Sequence, residues 1–334
     1  MNIREKMEQA EYANLLPCAA HAAESKGRPR QEEESDVRTC FQRDTDRILH
    51  SKAFRRLMHK TQVFLRPEGD HYRTRMTHTL EVSRIGRTIA RALQLSEDLT
   101  EAIALGHDLG HTPFGHAGEA ALTEITGKPF RHNEQSLRVV DKLENEGAGL
   151  NLTYETRMGI VGHTGDYIPE TLEGQIIRYA DRIAYLNHDI DDAMRAGILG
   201  ERDIPHAIAN VLGDRHSARI NTLVEDVIAA SAASGTIRMT PEIGAAMQAL
   251  REFMFEHVYR NPKAKGEESK AREVVMRLYE YYAGHPDKLP QNFLPQLDLE
   301  GTDRAACDYI AGMTDKFAVS TFTELFIPMS WQLR

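Results

Sequence analysis

One long amphipathic segment constrains the fold of this chain more than any other. Between residues 171 and 196, apolar side chains recur at the spacing of an α-helix, about 3.6 residues per turn. They are Ile176, Ile177, Ala180, Ile183, Ala184, Leu186 and Ile190. Strand-like alternation joined by Asn-Gly or Asp-Gly turns is absent from the sequence. The segment therefore predicts a core helix, and the chain as a whole predicts an all-α fold.

Other segments repeat the helical pattern. Residues 76–95 form the clearest one, with the apolar side chains Met76, Leu80, Val82, Ile85, Ile89 and Leu93. Helices are also predicted at 97–110, from about His116 onward, and at 133–146, 153–163, 203–233, 240–259, 267–283 and 302–316. Pro113 and Gly115 separate the helix 97–110 from the next one, and the prolines of 284–298 predict a loop.

Charge and cysteine content narrow the range of functions. A net charge of −9 argues against a general binder of nucleic acid or anionic membranes. The 3 cysteines are widely spaced and form no CxxC pair, which is typical of free thiols in a reducing compartment. No apolar run approaches membrane-spanning length, and the N-terminus lacks the apolar core of a signal peptide. We therefore expect a cytoplasmic protein.

The helix 171–196 also carries a polar stripe. Asp181, Tyr185, His188, Asp189 and Asp192 fall on one helical face. A solvated surface would explain such a stripe, but it holds more acid than a solvent face needs. Asp181, between apolar neighbours, is therefore a candidate functional carboxylate.

The segment Gly106–Glu119, with the sequence GHDLGHTPFGHAGE, holds three histidines and two acids. His107 and Asp108 follow an apolar helical run and offer a nitrogen and an oxygen to a divalent metal. His78, which alone would more often be a core histidine, and Asp181 are candidates to complete the site. This mixed set without thiolates disfavours structural zinc and suits Mn²⁺, Mg²⁺, Co²⁺, Fe²⁺ or catalytic Zn²⁺.

Acid–base and anion-binding candidates lie beside these ligands. His116 and Glu119 are spaced i, i+3, so the carboxylate can orient an imidazole that transfers protons. Helix capping is the alternative role for His116. Arg75 shares a helical face with His78 and suits phosphate oxygens, whereas a surface salt bridge is the alternative, more so for Arg73.

Five motifs resemble those of one known family. They are KAFRRLMHKTQVF (52–64), HYRTRMTHTLEVSRIGRTIAR (71–91), HDLGHTPFGHAGE (107–119), HNEQS (132–136) and YADRIAYLNHDIDDA (179–193). The spacing of the metal candidates is similar to that of HD-domain metal-dependent phosphohydrolases. Together the motifs resemble the deoxyguanosinetriphosphate triphosphohydrolase (dGTPase)-like family over about residues 37–200, and more weakly to DYIAGMTDKFAVSTF (308–322). This implies a multi-helix HD-domain phosphohydrolase fold.

The resemblance also implies an activity and roles for single residues. The family's hydrolases split a dNTP at the α-phosphorus into deoxynucleoside and inorganic triphosphate. The matching metal ligands are His78, His107, Asp108 and Asp181, and the matching catalytic pair is His116 and Glu119. The matching substrate residues are Gln62 near the sugar, Arg75 on a phosphate, His111 near the α-phosphate, His132 in the pocket, Tyr185 on the deoxyribose and Asp189 at the 3′-hydroxyl.

The domain organisation follows from the same patterns. We expect a short helix and a mobile surface segment at residues 1–36, then one HD phosphohydrolase domain at 37–334. Within it, the metal-binding helical core spans about residues 50–200, and a helical C-terminal region spans about 201–334. Apolar Phe54, Leu57, Val63 and Phe64 occur early in this domain.

Three functions stay open at this point. The first is a dNTP triphosphohydrolase. The second is another HD-domain nucleotidase or cyclic-nucleotide phosphodiesterase, which would not need Gln62, Tyr185 and Asp189. The third is a catalytically silent nucleotide sensor or nucleic-acid-binding regulator, which the complete ligand set and the His116–Glu119 pair disfavour. The resemblance further implies a homo-oligomer, hexamer or tetramer, and leaves the nucleobase and any dNTP or nucleic-acid effector open.

Overall fold

The chain folds from α-helices. A computed structural model describes residues 1–62, 73–200, 203–260 and 262–328, with no side-chain description for 262–265. Val63, Phe64 and the start of the motif at 71–91 lie outside the described residues. Within the described ranges there are sixteen α-helices and no β-strand, apart from an isolated antiparallel bridge between Thr61 and Thr74. This confirms the predicted all-α class.

The helices follow one another with short connections. They are α1 Ile3–Asn14, α2 Cys40–His50, α3 Lys52–Arg56, α4 Arg75–Ala92, α5 Glu97–Gly106, α6 His116–Thr126, α7 His132–Arg138, α8 Tyr154–Gly162, α9 Leu172–Arg195, α10 His206–Leu212, α11 His216–Ser234, α12 Pro241–Met254, α13 Pro262–Gly284, α14 Leu294–Glu300, α15 Thr302–Ala311 and α16 Asp315–Phe326. The helices α7 and α12 each continue into one wider π-helical turn, Val139–Leu143 and Phe255–Tyr259. In these ranges no helix is long and apolar enough to cross a membrane.

Four predicted boundaries were wrong. The helix 97–110 ends at Gly106, because the backbone at Gly110 packs directly on α7, where a Cβ would lie 2.1 Å from the Ser136 nitrogen. The segment 203–233 is two helices, broken at Gly213 with φ +102°. The predicted loop 284–298 contains the start of α14, with Pro295 in the first turn, where no hydrogen bond is lost. The last predicted helix, 302–316, is interrupted after Ala311, and Thr314 caps α16.

Three helices form the principal core. The apolar side chains of α9 that defined its pattern are fully buried against α4 and α5. Gly86 on α4 allows this packing, since a Cβ there would lie 2.9 Å from the Ile177 side chain. A second core joins α6 to α13, α15 and α16. The metal candidates thus project from the first core, and His116 and Glu119 from a helix seated on the second.

The N-terminal segment lies against the body of the protein. The Ser25 hydroxyl donates to Glu155 at 2.7 Å, and Arg28 donates to the Asn151 carbonyl at 2.6 Å. Arg28 also pairs with the buried Asp44. The division of the chain at residue 36 and the two parts of the following domain stay predictions.

Candidate metal centre and its histidine cluster

Three helices bring the four metal candidates together. His78 lies on α4, His107 and Asp108 follow α5 directly, and Asp181 lies on α9. Nε2 of His78 is 3.1 Å from Oδ1 of Asp181 and 3.9 Å from Oδ2 of Asp108. Nε2 of His107 is 3.4 Å from Oδ1 of Asp108 and 3.9 Å from Oδ1 of Asp181. Ligand atoms of His78, His107 and Asp108 all lie within 4.8 Å of one another, close enough to share one ion.

The protonation of His107 suits a metal. Its Nδ1 lies 2.6 Å from the Ala104 carbonyl oxygen. A carbonyl only accepts, so Nδ1 carries the proton and Nε2 presents its lone pair. That Nε2 is buried and has no hydrogen-bond partner among the described residues. A backbone contact of this kind orients a ligating imidazole, so the residues present fit a divalent ion.

Both carboxylates are held in their ionised form. Burial alone would raise the pKa of Asp108, but His107, His111 and Arg75 outweigh it and hold that pKa well below its usual range. Arg75 donates to Oδ2 of Asp108 at 3.0 Å. For Asp181, burial is likewise outweighed by the hydrogen bond from His78 and by His107, which lower its pKa. Metals bind the ionised carboxylate, so this electrostatic setting favours coordination.

Glu119 is the centre of a second group, the Glu119 cluster, which consists of Glu119, His111, His116 and His132. Its Oε1 is 2.8 Å from Nδ1 of His111 and 3.1 Å from Nδ1 of His132. Its Oε2 is 3.6 Å from Nδ1 of His116. The rings of His111 and His132 stack with centroids 3.9 Å apart. The carboxylate therefore faces three imidazoles, and His116 is the most distant of them.

Charge and exposure differ sharply within the Glu119 cluster. Burial is outweighed by the three histidines, and the pKa of Glu119 lies well below its usual range. Burial, Arg75 and His132 lower the pKa of His111 to about 4. The His116 side chain is 82% exposed, and Glu119 raises its pKa. At neutral pH the cluster thus combines an ionised acid with a neutral, buried His111 and an exposed His116 that binds a proton more readily than usual.

His163 is a site residue that the sequence reasoning missed. Its Nδ1 lies 2.7 Å from the Ile160 carbonyl, and its Nε2 lies 3.2 Å from Nε2 of His132. Its ring also packs at 4.9 Å against that of His107. Burial lowers its pKa to about 3. The available signal was the pair Gly162–His163 at a helix end, which repeats the arrangement of Gly106–His107.

Two residues expected near a sugar present buried acceptors. Oε1 of Gln62 and Oδ1 of Asp189 are buried without a hydrogen-bond partner in the described part of the chain. The other oxygen of Asp189 accepts from the Tyr259 hydroxyl, a contact that no local sequence pattern indicated. Burial raises the pKa of Asp189 to about 7. Buried unpaired acceptors are uncommon, and each fits a ligand hydroxyl or amide donor.

The remaining candidates take distinct environments. Tyr185 lies one turn after Asp181 on α9, partly buried against the principal core. Arg75 is buried, and its Nε has no partner within the described ranges. Arg73 instead forms ion pairs at 3.4–3.5 Å with Glu81, Asp191 and Asp192, in line with the salt-bridge alternative.

Comparisons with known proteins agree with this geometry. An HD-domain family model matches residues 75–186, the range that holds all four metal candidates. A phosphohydrolase-associated domain model matches residues 237–324.

Relatives of similar length share one description. The deoxyguanosinetriphosphate triphosphohydrolase-like protein of Caldanaerobacter subterraneus subsp. tengcongensis is 56% identical over 331 residues, covering 99% of this chain and 98% of that protein. The protein of the same description from Desulfatibacillum aliphaticivorans is 48% identical over 347 residues, covering 98% and 99%. A solved structure of a hypothetical protein from Aquifex aeolicus aligns with a TM-score of 0.48 and 20% identity over 85% of this chain and 68% of that one.

Proposed function

The chain belongs to the deoxyguanosinetriphosphate triphosphohydrolase-like family of HD-domain phosphohydrolases, and on this basis we propose that it hydrolyses deoxynucleoside triphosphates at the α-phosphorus. The products are a deoxynucleoside and inorganic triphosphate. Family membership by itself supports a hydrolase with a divalent metal; the substrate and the bond cleaved are our proposal.

The observation that carries the proposal is the lone pair of His107. It is buried and unpaired within the described residues, and it faces two ionised carboxylates beside a second imidazole. His78, His107, Asp108 and Asp181 would hold the metal. When bound, a divalent ion there acts as a Lewis acid toward phosphoryl oxygens and lowers the pKa of water. Mn²⁺, Mg²⁺, Co²⁺, Fe²⁺ and Zn²⁺ all suit this donor set.

The chain's own residues supply charge and protons. Arg75 is positioned by Asp108 and places a fixed positive charge where phosphate oxygens would gather. Cleavage at the α-phosphorus leaves a sugar oxygen that must gain a proton. His116 suits this task, because it is exposed to a substrate and Glu119 raises its pKa. Glu119 orients His116 and remains ionised through His111 and His132.

Selection of deoxyribose rests on α9 and Gln62. A tyrosine ring such as that of Tyr185 against C2′ would exclude a ribose 2′-hydroxyl by its size. The unpaired acceptors of Gln62 and Asp189 would accept hydrogen bonds from the 3′ side of the sugar. A sugar without a 3′-hydroxyl would leave them unpaired, which disfavours its binding.

The test is product analysis. Purified protein is incubated with each of four dNTPs and four NTPs in Mn²⁺, Mg²⁺ or Co²⁺, and the phosphate products are separated by anion exchange. Inorganic triphosphate from dNTPs, with little from NTPs, is the expected result. Orthophosphate or a nucleoside monophosphate would indicate another HD-domain phosphohydrolase, and no turnover with any metal would indicate a sensor.

Assembly is proposed on family resemblance alone. We expect a homo-oligomer, a hexamer or a tetramer, which light scattering of the purified protein measures. Repeating the dNTP panel with added dNTP mixtures or single-stranded DNA tests for an effector.

A further inference from the structure

A junction outside the metal centre joins three segments that are remote in sequence. The first is Lys60–Gln62, which precedes the undescribed residues. The second is the turn Thr112–Gly115, which lies between His111 and His116. The third is the corner between α15 and α16, at 311–315. Each of the first two borders a candidate substrate or catalytic residue, and the third belongs to the C-terminal region.

The Asp315 carboxylate binds both site segments at once. Its Oδ2 accepts from the Thr61 backbone N–H at 3.0 Å and from the Thr61 hydroxyl at 2.7 Å. Its Oδ1 accepts from the Phe114 N–H at 3.0 Å. Asp315 is buried and is the first residue of α16, but Thr314 already caps that helix. The carboxylate is therefore directed away from its own helix, and its three hydrogen bonds serve the two site segments.

Lys60 closes the same junction from the other side. Its buried ammonium donates to the carbonyl oxygen of His111 and, at 2.8 Å, to that of Ala311. The Lys60 carbonyl in turn accepts from the N–H of Arg75 at 3.1 Å. The start of α4, the histidine turn and the C-terminal corner are thereby tied to one short segment.

The turn held by this junction has an unfavourable backbone. Phe114 has φ +63° and Gly115 has φ +56°. A left-handed conformation costs a non-glycine residue free energy and persists where its surroundings enforce it. The Phe114 N–H bound to Asp315 is such a restraint. Gly115 is required at its position, since a Cβ would lie 2.9 Å from the Arg75 guanidinium.

We propose that Asp315 is a positioning residue of the active site, which sets the place of Gln62 relative to the turn that carries His116. The C-terminal region is then part of the catalytic unit, although it supplies no metal candidate. The kinetic consequence rests on the proposed function, because it assumes that Gln62 contacts the 3′ side of the sugar. The hydrogen bonds themselves are testable without any activity.

The test compares Asp315→Asn and the milder Thr61→Val with two controls in the full-length protein. Thr314→Ala removes the cap of α16, and Asp298→Asn makes the same chemical change at an exposed position on α14. Hydrogen–deuterium exchange is measured for peptides containing Thr61 and Phe114. Initial rates with dGTP and 2′,3′-dideoxy-GTP give the discrimination at the 3′ position, and a Mn²⁺ titration gives metal affinity.

We expect faster exchange at both peptides in Asp315→Asn. For this variant, kcat/KM for dGTP should fall about tenfold and the dGTP to dideoxy-GTP ratio should narrow about threefold, with metal affinity unchanged. Thr61→Val should show the same pattern more weakly. Normal exchange in Asp315→Asn, an unchanged ratio, or the same ratio change in Thr314→Ala would overturn the proposal. If the wild type hydrolyses no dNTP, the proposed function fails, while the exchange data still decide whether Asp315 holds the two segments.

Discussion

Replacing Glu119 with Gln should shift the pH dependence of catalysis toward acid. Glu119 raises the pKa of His116, so in the wild type the protonated imidazole persists to a higher pH than that of an isolated histidine. Activity that needs this proton is present at low pH and is lost as the pH rises through the raised pKa. The neutral amide of Gln cannot stabilise the imidazolium, so the loss should begin at lower pH.

The size of the shift follows from the geometry. The two groups are 3.6 Å apart, and the His116 ring is 82% exposed, so the dielectric of water is the appropriate one. A unit charge at that distance contributes about 1 kcal/mol, which equals about 1 pH unit. The basic limb of kcat/KM should therefore move down by roughly 1 pH unit in Glu119→Gln. A further fall in kcat, about tenfold, is expected from poorer orientation of the imidazole.

The assay is triphosphate release from a dNTP between pH 5 and 9 with saturating metal. Glu124→Gln is the matched control, since it makes the same change on α6 at an exposed position that faces Arg272. His116→Ala should remove the basic limb and lower kcat by about 10² to 10⁴ without changing metal affinity. A basic limb that stays in place or moves up in Glu119→Gln would refute the reasoning. A limb that survives in His116→Ala would assign the proton to another group.

Three further predictions concern the metal, the sugar and the missed histidine. Asp108→Ala should abolish Mn²⁺ binding and turnover, measured by calorimetry on protein shown by circular dichroism to be folded, and full metal occupancy would contradict the ligand assignment. Tyr185→Ala should narrow the ratio of kcat/KM for dGTP over GTP, whereas an unchanged ratio would rule out steric exclusion of ribose. His163→Leu should lower kcat about tenfold by removing the acceptor for His132, and His163→Gln should recover part of it through the amide oxygen; equal losses would leave His163 a packing role.

The sequence alone determined which segments are helices and which of their faces are buried. Helical periodicity is a local property, so the patterns on α4 and α9 predicted both elements closely. Boundaries were less well determined, because Gly106 ends α5 through the close approach of α7, a contact remote in sequence. The all-α class followed from the same local patterns and needed no knowledge of how the helices pack.

The metal candidates were also accessible from sequence, since His107 and Asp108 are adjacent and His78 and Asp181 stand on strongly patterned helices. Tertiary structure decided their company. Glu119 faces His111 and His132 at closer range than its sequence neighbour His116.

The contacts that hold the site lay beyond any local pattern. The Thr61–Asp315 hydrogen bond joins residues 254 positions apart, and that of His132 with His163 joins residues 31 apart. The direction of such side chains depends on how the helices pack against one another. Helical periodicity carries no information on this, because it specifies which face of a helix is buried and not which other helix covers that face.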